Sequence, residues 1–372
     1  MATTNITYAQ NRYQYSGGEH DAMIGKMETP LKMIIEHESD ACAKKKNVQS
    51  TLFNIERSNK FGETIIGNSD FDVFKSVEEG TGDDVGESIY EVNRRFVEHI
   101  EFMKEFVITR KMMEDSNYGV GADAKRRAEN FVRAYYQSMN KICSTALINA
   151  TSKTYDSAMF GTTLDLSVFD YKAGTNADTR KVALFGKHSS RIYDEDQYNL
   201  FHWGGTAAID STDAMGEYID VIANRLRNFK DEHGNSLEYV ADTIILPGNN
   251  AKLERMVKKV CGSEREAGTA NNDINVQYGN WTIVVLPDWN VSKDAPEFML
   301  MSSAANKNLM GNAFFNRSPL HINPWIDNHT GNYIWTGRCR FGVGFGNWKH
   351  IARASLTTTA VSENSLAITG DD

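Results

Sequence analysis

The chain has 372 residues, 41% of them hydrophobic and 24% charged, and a formal net charge of -9. That length is enough for two or three sub-domains with cores of their own, and the composition is that of an ordinary globular protein. The acidic balance argues against a protein that grips nucleic acid over a broad basic face, but it does not exclude a shell that merely encloses nucleic acid, where an acidic inner face would avoid sticking to it.

Residues 1 to about 24 are polar, with Gly17 and Gly18 in the middle, and predict a mobile arm that orders only against a partner. This stretch lacks the apolar core of a signal peptide. Thr29 and Pro30 then predict an N-cap and a first helical position. A short helix follows, carrying Leu31, Ile34, Ile35, Ala41 and Cys42 and ending near Lys44–Lys46. Residues 51–57 and 64–66 are β-like. Residues 67–87 are acidic and glycine-rich; Asp70, Asp72, Glu78, Glu79, Asp83, Asp84 and Glu87 cannot cover a core. They lack the spacing of a calcium loop and read as solvated surface.

From Ser88 to Arg110, Phe96, Ile100, Phe102, Phe106 and Ile108 fall on one parity, broken by Glu98 and Lys104. That is strand spacing, over a length well beyond the usual five or six residues. A long, half-charged hairpin that cannot bury itself is normally buried by another subunit. Between Ala122 and Ala150, Ala128, Phe131, Val132, Tyr135, Met139, Ile142, Cys143 and Ala146 recur at steps of three and four. This predicts a single helical strut, about 43 Å long.

Residues 151–210 predict irregular surface crossings. A new unit starts near Ser211, where Thr212 can cap a helix with the stripe Met215, Ile219, Ile222, Leu226 and Phe229, ending at Gly234. A strand (243–246), a helix carrying Leu253, Met256, Val257 and Val260, and strands at 281–286 and 298–301 make an α/β or α+β sub-domain. Residues 334–356 read as one or two strands, and those beyond Leu356 as a frayed tail.

Few residues offer chemistry. Gly342, Gly344 and Gly346 mimic part of a dinucleotide fingerprint, but no helix follows them, so they read as closely packed strand glycines. There is no phosphate loop and no nucleophile elbow. The nine histidines form no metal-binding pair, and Cys42, Cys143, Cys261 and Cys339 form no CxxC clip. Cys143 reads as a core residue, and the cysteine usage points to a reduced, intracellular origin. No apolar run is long enough to span a membrane. His188 and His202 lie beside aromatics in predicted loops; a structural role is favoured over catalysis. Glu98 and Glu101 flank His99, but on a strand they do not form an acid–base pair.

Several segments, taken in order, resemble a known family. They are FVITRKMMEDS (106–116), the strut at 122–150, ALFGKHSSR (183–191), TIILPGNNAKLERMVKKV (243–260) and CRFGVGFGNWKHIARASL (339–356). Their order and spacing resemble the major capsid proteins of tailed bacteriophages, with the Hong Kong 97-type fold that encapsulin compartments share. The resemblance implies an α+β chain with an arm and short helix (1–50) and an extended β-hairpin loop (51–110). It further implies a peripheral domain (111–212) with a spine helix, an axial domain (213–330), return strands (331–356) and a tail (357–372). A long N-terminal scaffolding segment of the kind some members carry is not expected here, and the lysine–asparagine cross-link of some members cannot be placed.

The resemblance also implies self-assembly into hexamers and pentamers of a virion shell around double-stranded DNA, put together in the host cytoplasm. Portal and possibly scaffold or decoration proteins would be partners, and no cofactor, metal, catalysis or membrane is expected. Subunit-interface candidates are Tyr8, Tyr13 and Tyr15 on the arm and Phe96, Ile100 and Phe102 on the hairpin. The alternatives are an encapsulin-like cellular compartment or, from another class, an enzyme using His188 or His202.

Overall fold

The structure, a computed structural model, describes residues 7–8, 18–45, 47–69, 71–74, 76, 89, 91–115, 121–176, 179–190, 192–262, 264, 275, 277–360 and 362–370. After a two-residue strand β1 (Thr7–Tyr8), helix α1 (Gly18–Ala43) runs straight through Pro30. The predicted start at Thr29–Pro30 and the short helix are therefore corrected. An internal proline forfeits one backbone hydrogen bond. The turns after it are held because Leu31 and Ile35 are fully buried and Ser39 Oγ lies 2.9 Å from Tyr136 Oη on the strut. Thr51 and Leu52, expected in a strand, end the short helix α2 (Val48–Leu52), so only Asn54–Arg57 forms β2.

Strands β3 (Gly62–Asn68) and β4 (Glu91–Glu98) pair as an antiparallel hairpin. The predicted unbroken strand over 88–110 is in fact two strands. His99 is buried and holds the backbone oxygen of Lys60 at 3.1 Å from Nδ1, and β5 (Ile100–Ile108) continues beyond it into a different sheet. The break also flips the faces. Arg95 and Val97 turn inward in β4 while Phe96 turns out; in β5 the even positions Ile100, Phe102, Phe106 and Ile108 turn inward. A single strand keeps one parity, so only a break permits this.

A short α3 (Arg110–Asp115) leads to the strut, α4 (Ala122–Ile148), an unbroken helix with Phe131, Val132, Tyr135, Met139, Ile142, Cys143 and Ala146 buried along one side. Residues 151–210 are not surface crossings. They form the hairpins β6–β7 (Thr154–Ser157, Thr162–Asp165), β8–β9 (Ser167–Phe169, Lys181–Ala183) and β10–β11 (Lys187–His188, Gln197–Tyr198), then β12 (Leu200–Trp203). Leu164, Leu166, Val168, Leu184, Phe185, Leu200 and Phe201 are buried there. Strands of two to four residues are too short to display an alternation, which is why the sequence pattern hid them.

Helix α5 (Thr212–Arg227) is capped by Ser211, not Thr212: Ser211 Oγ accepts from the Ala214 N–H at 3.2 Å. It ends well before Gly234. Then come β13 (Thr243–Pro247), α6 (Ala251–Gly262), β14 (Thr282–Leu286), β15 (Glu297–Met301), α7 (Ser303–Asn308), β16 (Asn312–Ile326), β17 (Tyr333–Phe345), β18 (Ile351–Ser355) and β19 (Leu366–Ile368).

Two sheets organise the chain. One has the order β1–β16–β17–β5, with β2 also on β16; the other runs β14–β13–β15–β18–β12–β19. Strand β16, inside the expected 213–330 unit, thus belongs to the first sheet, and β18 and β19 return to the second. The tail expected to fray is pinned because β19 pairs with β12 and Ile368 is fully buried. The strut lies on the first sheet, where the Phe131 and Phe106 rings sit 5.1 Å apart and Phe106 stacks on Trp335 at 5.8 Å. Its C-terminus is tied to the second sheet: Arg353 of β18 donates to the Ile148 carbonyl at 2.8 Å, satisfying an oxygen the helix end leaves free.

Candidate assembly surface

The hairpin lies with one face on the body. Its inner residues Ile65 and Val97 cluster with Ala313 and Phe315 of β16. Glycines of β17 make the close approach possible. A Cβ on Gly344 would fall 2.5 Å from Val97 Cγ2, and one on Gly342 would fall 2.8 Å from the Glu98 carbonyl oxygen. This is the tight strand packing read from the sequence.

Further out, Arg95 reaches inward from β4. Its Nη2 lies 2.7 Å from Asp165 Oδ1 and donates to the Asp165 carbonyl at 3.3 Å. Burial works against ionisation of Asp165, but hydrogen bonds from Ser167 and the Arg95 charge outweigh it and hold its pKa below the ordinary value. Near the outer end, Asn235 Nδ2 donates to Asp72 Oδ1 at 3.4 Å.

The other face is open. Thr64 pairs with Phe96 and Ile66 with Arg94, so all four share the outward side. Ile66 is 55% and Phe96 48% exposed, and Phe61 before β3, Phe71, Val73 and Phe74 after it and Ile89 before β4 are also exposed. Surface hydrophobics are normal when scattered; a set of them on the open face of one element is a candidate interaction surface. Arg340 lies 5.5 Å over the Phe61 ring, while Ile66 and Phe96 stay about half exposed.

The predicted interface residues separate. Phe96 belongs to the open strip. Ile100 and Phe102 are half-buried against their own core, and Phe102 stacks on Phe341 at 4.6 Å and meets Phe160 edge-on at 6.1 Å. Tyr8 lies in β1, registered parallel to Ile322 of β16. Tyr13 and Tyr15 lie outside the described residues. Sequence reading passed over Ile66, Phe71, Val73, Phe74 and Ile89. The signal was the SDFDVFK stretch, where Phe71, Val73 and Phe74 sit among acids in a segment whose charge reads as solvated surface.

The histidines have structural partners. His188 stacks on Trp348 at 4.3 Å with Nε2 3.1 Å from the Leu184 carbonyl oxygen, and burial lowers its pKa to about 4. His202 Nδ1 lies 3.1 Å from Ser365 Oγ. That hydroxyl also lies 2.8 Å from the Ser362 carbonyl oxygen, so it sits in a local side-chain and backbone network. Among the described residues no group of three or more His, Cys, Asp or Glu side chains is placed to hold a metal ion, and no helix is long and apolar enough to cross a membrane.

An N-terminal strand and helix, a hairpin, a long strut on one sheet and a second sheet carrying two helices compose a mixed helix and sheet architecture. No family model and no curated protein matches the chain. Among solved structures it is similar to the capsid of Cyanophage P-SCSP1u, with 10% identity over 87% of this chain and 89% of that one, at a TM-score of 0.48. It is also similar to the capsid of Ralstonia phage GP4, with 8% identity over 84% and 88% at 0.48. A third is a virus-like particle from Pyrococcus furiosus, with 9% identity over 88% and 98% at 0.44. At such identities these are likenesses of fold alone.

Proposed function

We propose that this chain is the major capsid protein of a tailed bacteriophage. Its copies tile into hexamers and pentamers of an icosahedral head that encloses double-stranded DNA without reading its sequence. The observation that carries the reading is the open apolar strip on the hairpin, where Ile66 and Phe96 stay about half exposed. A strip of this kind meeting a different patch on the next copy is a heterologous contact, and such contacts close into rings when the rotation between copies closes. The body around the first sheet and strut acts as the peripheral domain, the second sheet with α5 and α6 as the axial domain, and the arm ties neighbouring capsomers. Portal and scaffold or decoration proteins are expected partners. The acidic net charge suits an enclosing wall that does not adhere to its contents.

The test is assembly of the purified chain followed by light scattering and negative-stain microscopy, with an Ile66→Asp/Phe96→Asp variant alongside. Wild type should form shells or capsomers, and the variant should stay a folded small species with unchanged circular dichroism. A wild-type chain that remains a small oligomer, or a variant that assembles normally, overturns the reading. Genome-length DNA in particles from an infected host, rather than a protein cargo, separates a viral head from a cellular compartment.

A further inference from the structure

Two-stranded ribbons are marginal by themselves, yet this one is held at a defined angle by three separate devices. The first is the bed on β17, where Gly342 and Gly344 admit Glu98 and Val97 at distances that a side chain would forbid. The second is the root, where His99 Nδ1 donates to the Lys60 carbonyl oxygen and the ring packs edge-on against Phe315 at 6.2 Å. The third is the Arg95–Asp165 pair, midway along β4. Here a guanidinium that is nearly fully buried leaves the hairpin to meet a carboxylate at the end of β7. Asp165 is itself fixed by the Ser167 hydroxyl at 2.6 Å and by Lys181 at 3.4 Å, so the hairpin is tied to a rigid point.

Arg95 is 6% exposed and Asp165 37%, so the pair is half-buried and adds little net stability; its value lies in permitting one geometry and penalising others. The body does not need this pair to close its core, because Ile65 and Val97 already seat the root. What the pair adds is angle. It sits on the inner face, where Arg95 pairs with Ile65, behind the outward residues Phe96 and Ile66.

We propose that Arg95 and Asp165 form a latch that presets the hairpin's angle, so that the strip meets a neighbouring copy already oriented. This deepens the shell-forming reading above and rests on it. Preorganisation of this kind lowers the ordering cost of each contact. In a shell the same contact recurs at every subunit, so a small gain per contact multiplies.

The experiment measures hydrogen exchange of the soluble full-length subunit and the critical concentration for assembly in Asp165→Asn. The expected result is exchange about tenfold faster in β3 and β4, unchanged exchange in β16, β17 and α4, and a critical concentration about tenfold higher. A second variant, Gly344→Ala, drives a methyl into Val97 without touching any charge, and should displace the hairpin and weaken assembly in the same way. If Asp165→Asn does not fold, Arg95→Lys carries the same expectation at smaller size. Unchanged hairpin exchange overturns the latch. So does a loosened hairpin that assembles as well as, or better than, wild type. If the wild-type chain forms no shell under any condition, the shell reading fails, and hairpin exchange still decides whether the pair restrains the ribbon.

Discussion

Phe131 packs the strut against the first sheet, and it supports a quantitative test. Its ring is 6% exposed and lies over Gly337 of β17. A Cβ placed on Gly337 would sit 2.3 Å from Phe131 Cζ and 3.0 Å from Leu320 Cδ1. Truncating Phe131 to alanine removes the ring from between Phe106 and the glycine, at an expected cost of about 3–5 kcal/mol. Gly337→Ala alone forces a methyl into the ring and should cost about 1–3 kcal/mol by overpacking. In the double variant the new methyl enters the space the ring has left, so the two costs should not add; the coupling should recover about 1–3 kcal/mol. The assay is urea unfolding of dissociated subunits, comparing midpoints at constant slope. Costs that add to within about 0.5 kcal/mol would refute the claim that Gly337 is glycine because the Phe131 ring occupies its side-chain position.

Two further perturbations reach the second sheet. Arg353 bonds Glu297 Oε2 through Nη2 at 2.6 Å and Nε at 2.7 Å while holding the strut's Ile148 carbonyl. Arg353→Ala strands a buried carboxylate and should cost about 3–5 kcal/mol, whereas Arg353→Met with Glu297→Leu should regain most of it in a thermal melt. Acid should also destabilise the subunit through His188 and His350. Burial lowers their pKa values to about 4 and about 3 from 6.5, with Asp170 partly opposing and Lys349 reinforcing the shift at His188. The unfolded chain binds their protons first, so stability is full above pH 6.5 and falls as pH drops towards 4, by about 1.4 kcal/mol per pH unit for each histidine. A denaturation midpoint flat between pH 6.5 and 5 would contradict this burial.

The elements that sequence alone determined are those whose own periodicity was long enough to fix them. The strut's stripe from Ala128 to Ala146 specified one buried helix face, because 27 residues sample the 3.6 period many times over. The α5 and α6 stripes and the apolar runs of β13, β14 and β15 were legible for the same reason. What lay beyond sequence depended on partners distant in the chain. Continuing α1 through Pro30 depended on packing Leu31 and Ile35 and on the Ser39–Tyr136 bond, none of which local propensity contains. Whether Phe96 faced in or out turned on one break at His99, itself set by the Lys60 carbonyl and Phe315. The tail's place was decided by an open edge on β12, more than 150 residues earlier in the chain. The glycines of β17 could be read as close-packed from their spacing, but only the fold revealed that Val97 and Glu98 are what they admit. Local sequence fixes how a segment prefers to fold; which face it buries is settled by the surface that arrives to cover it.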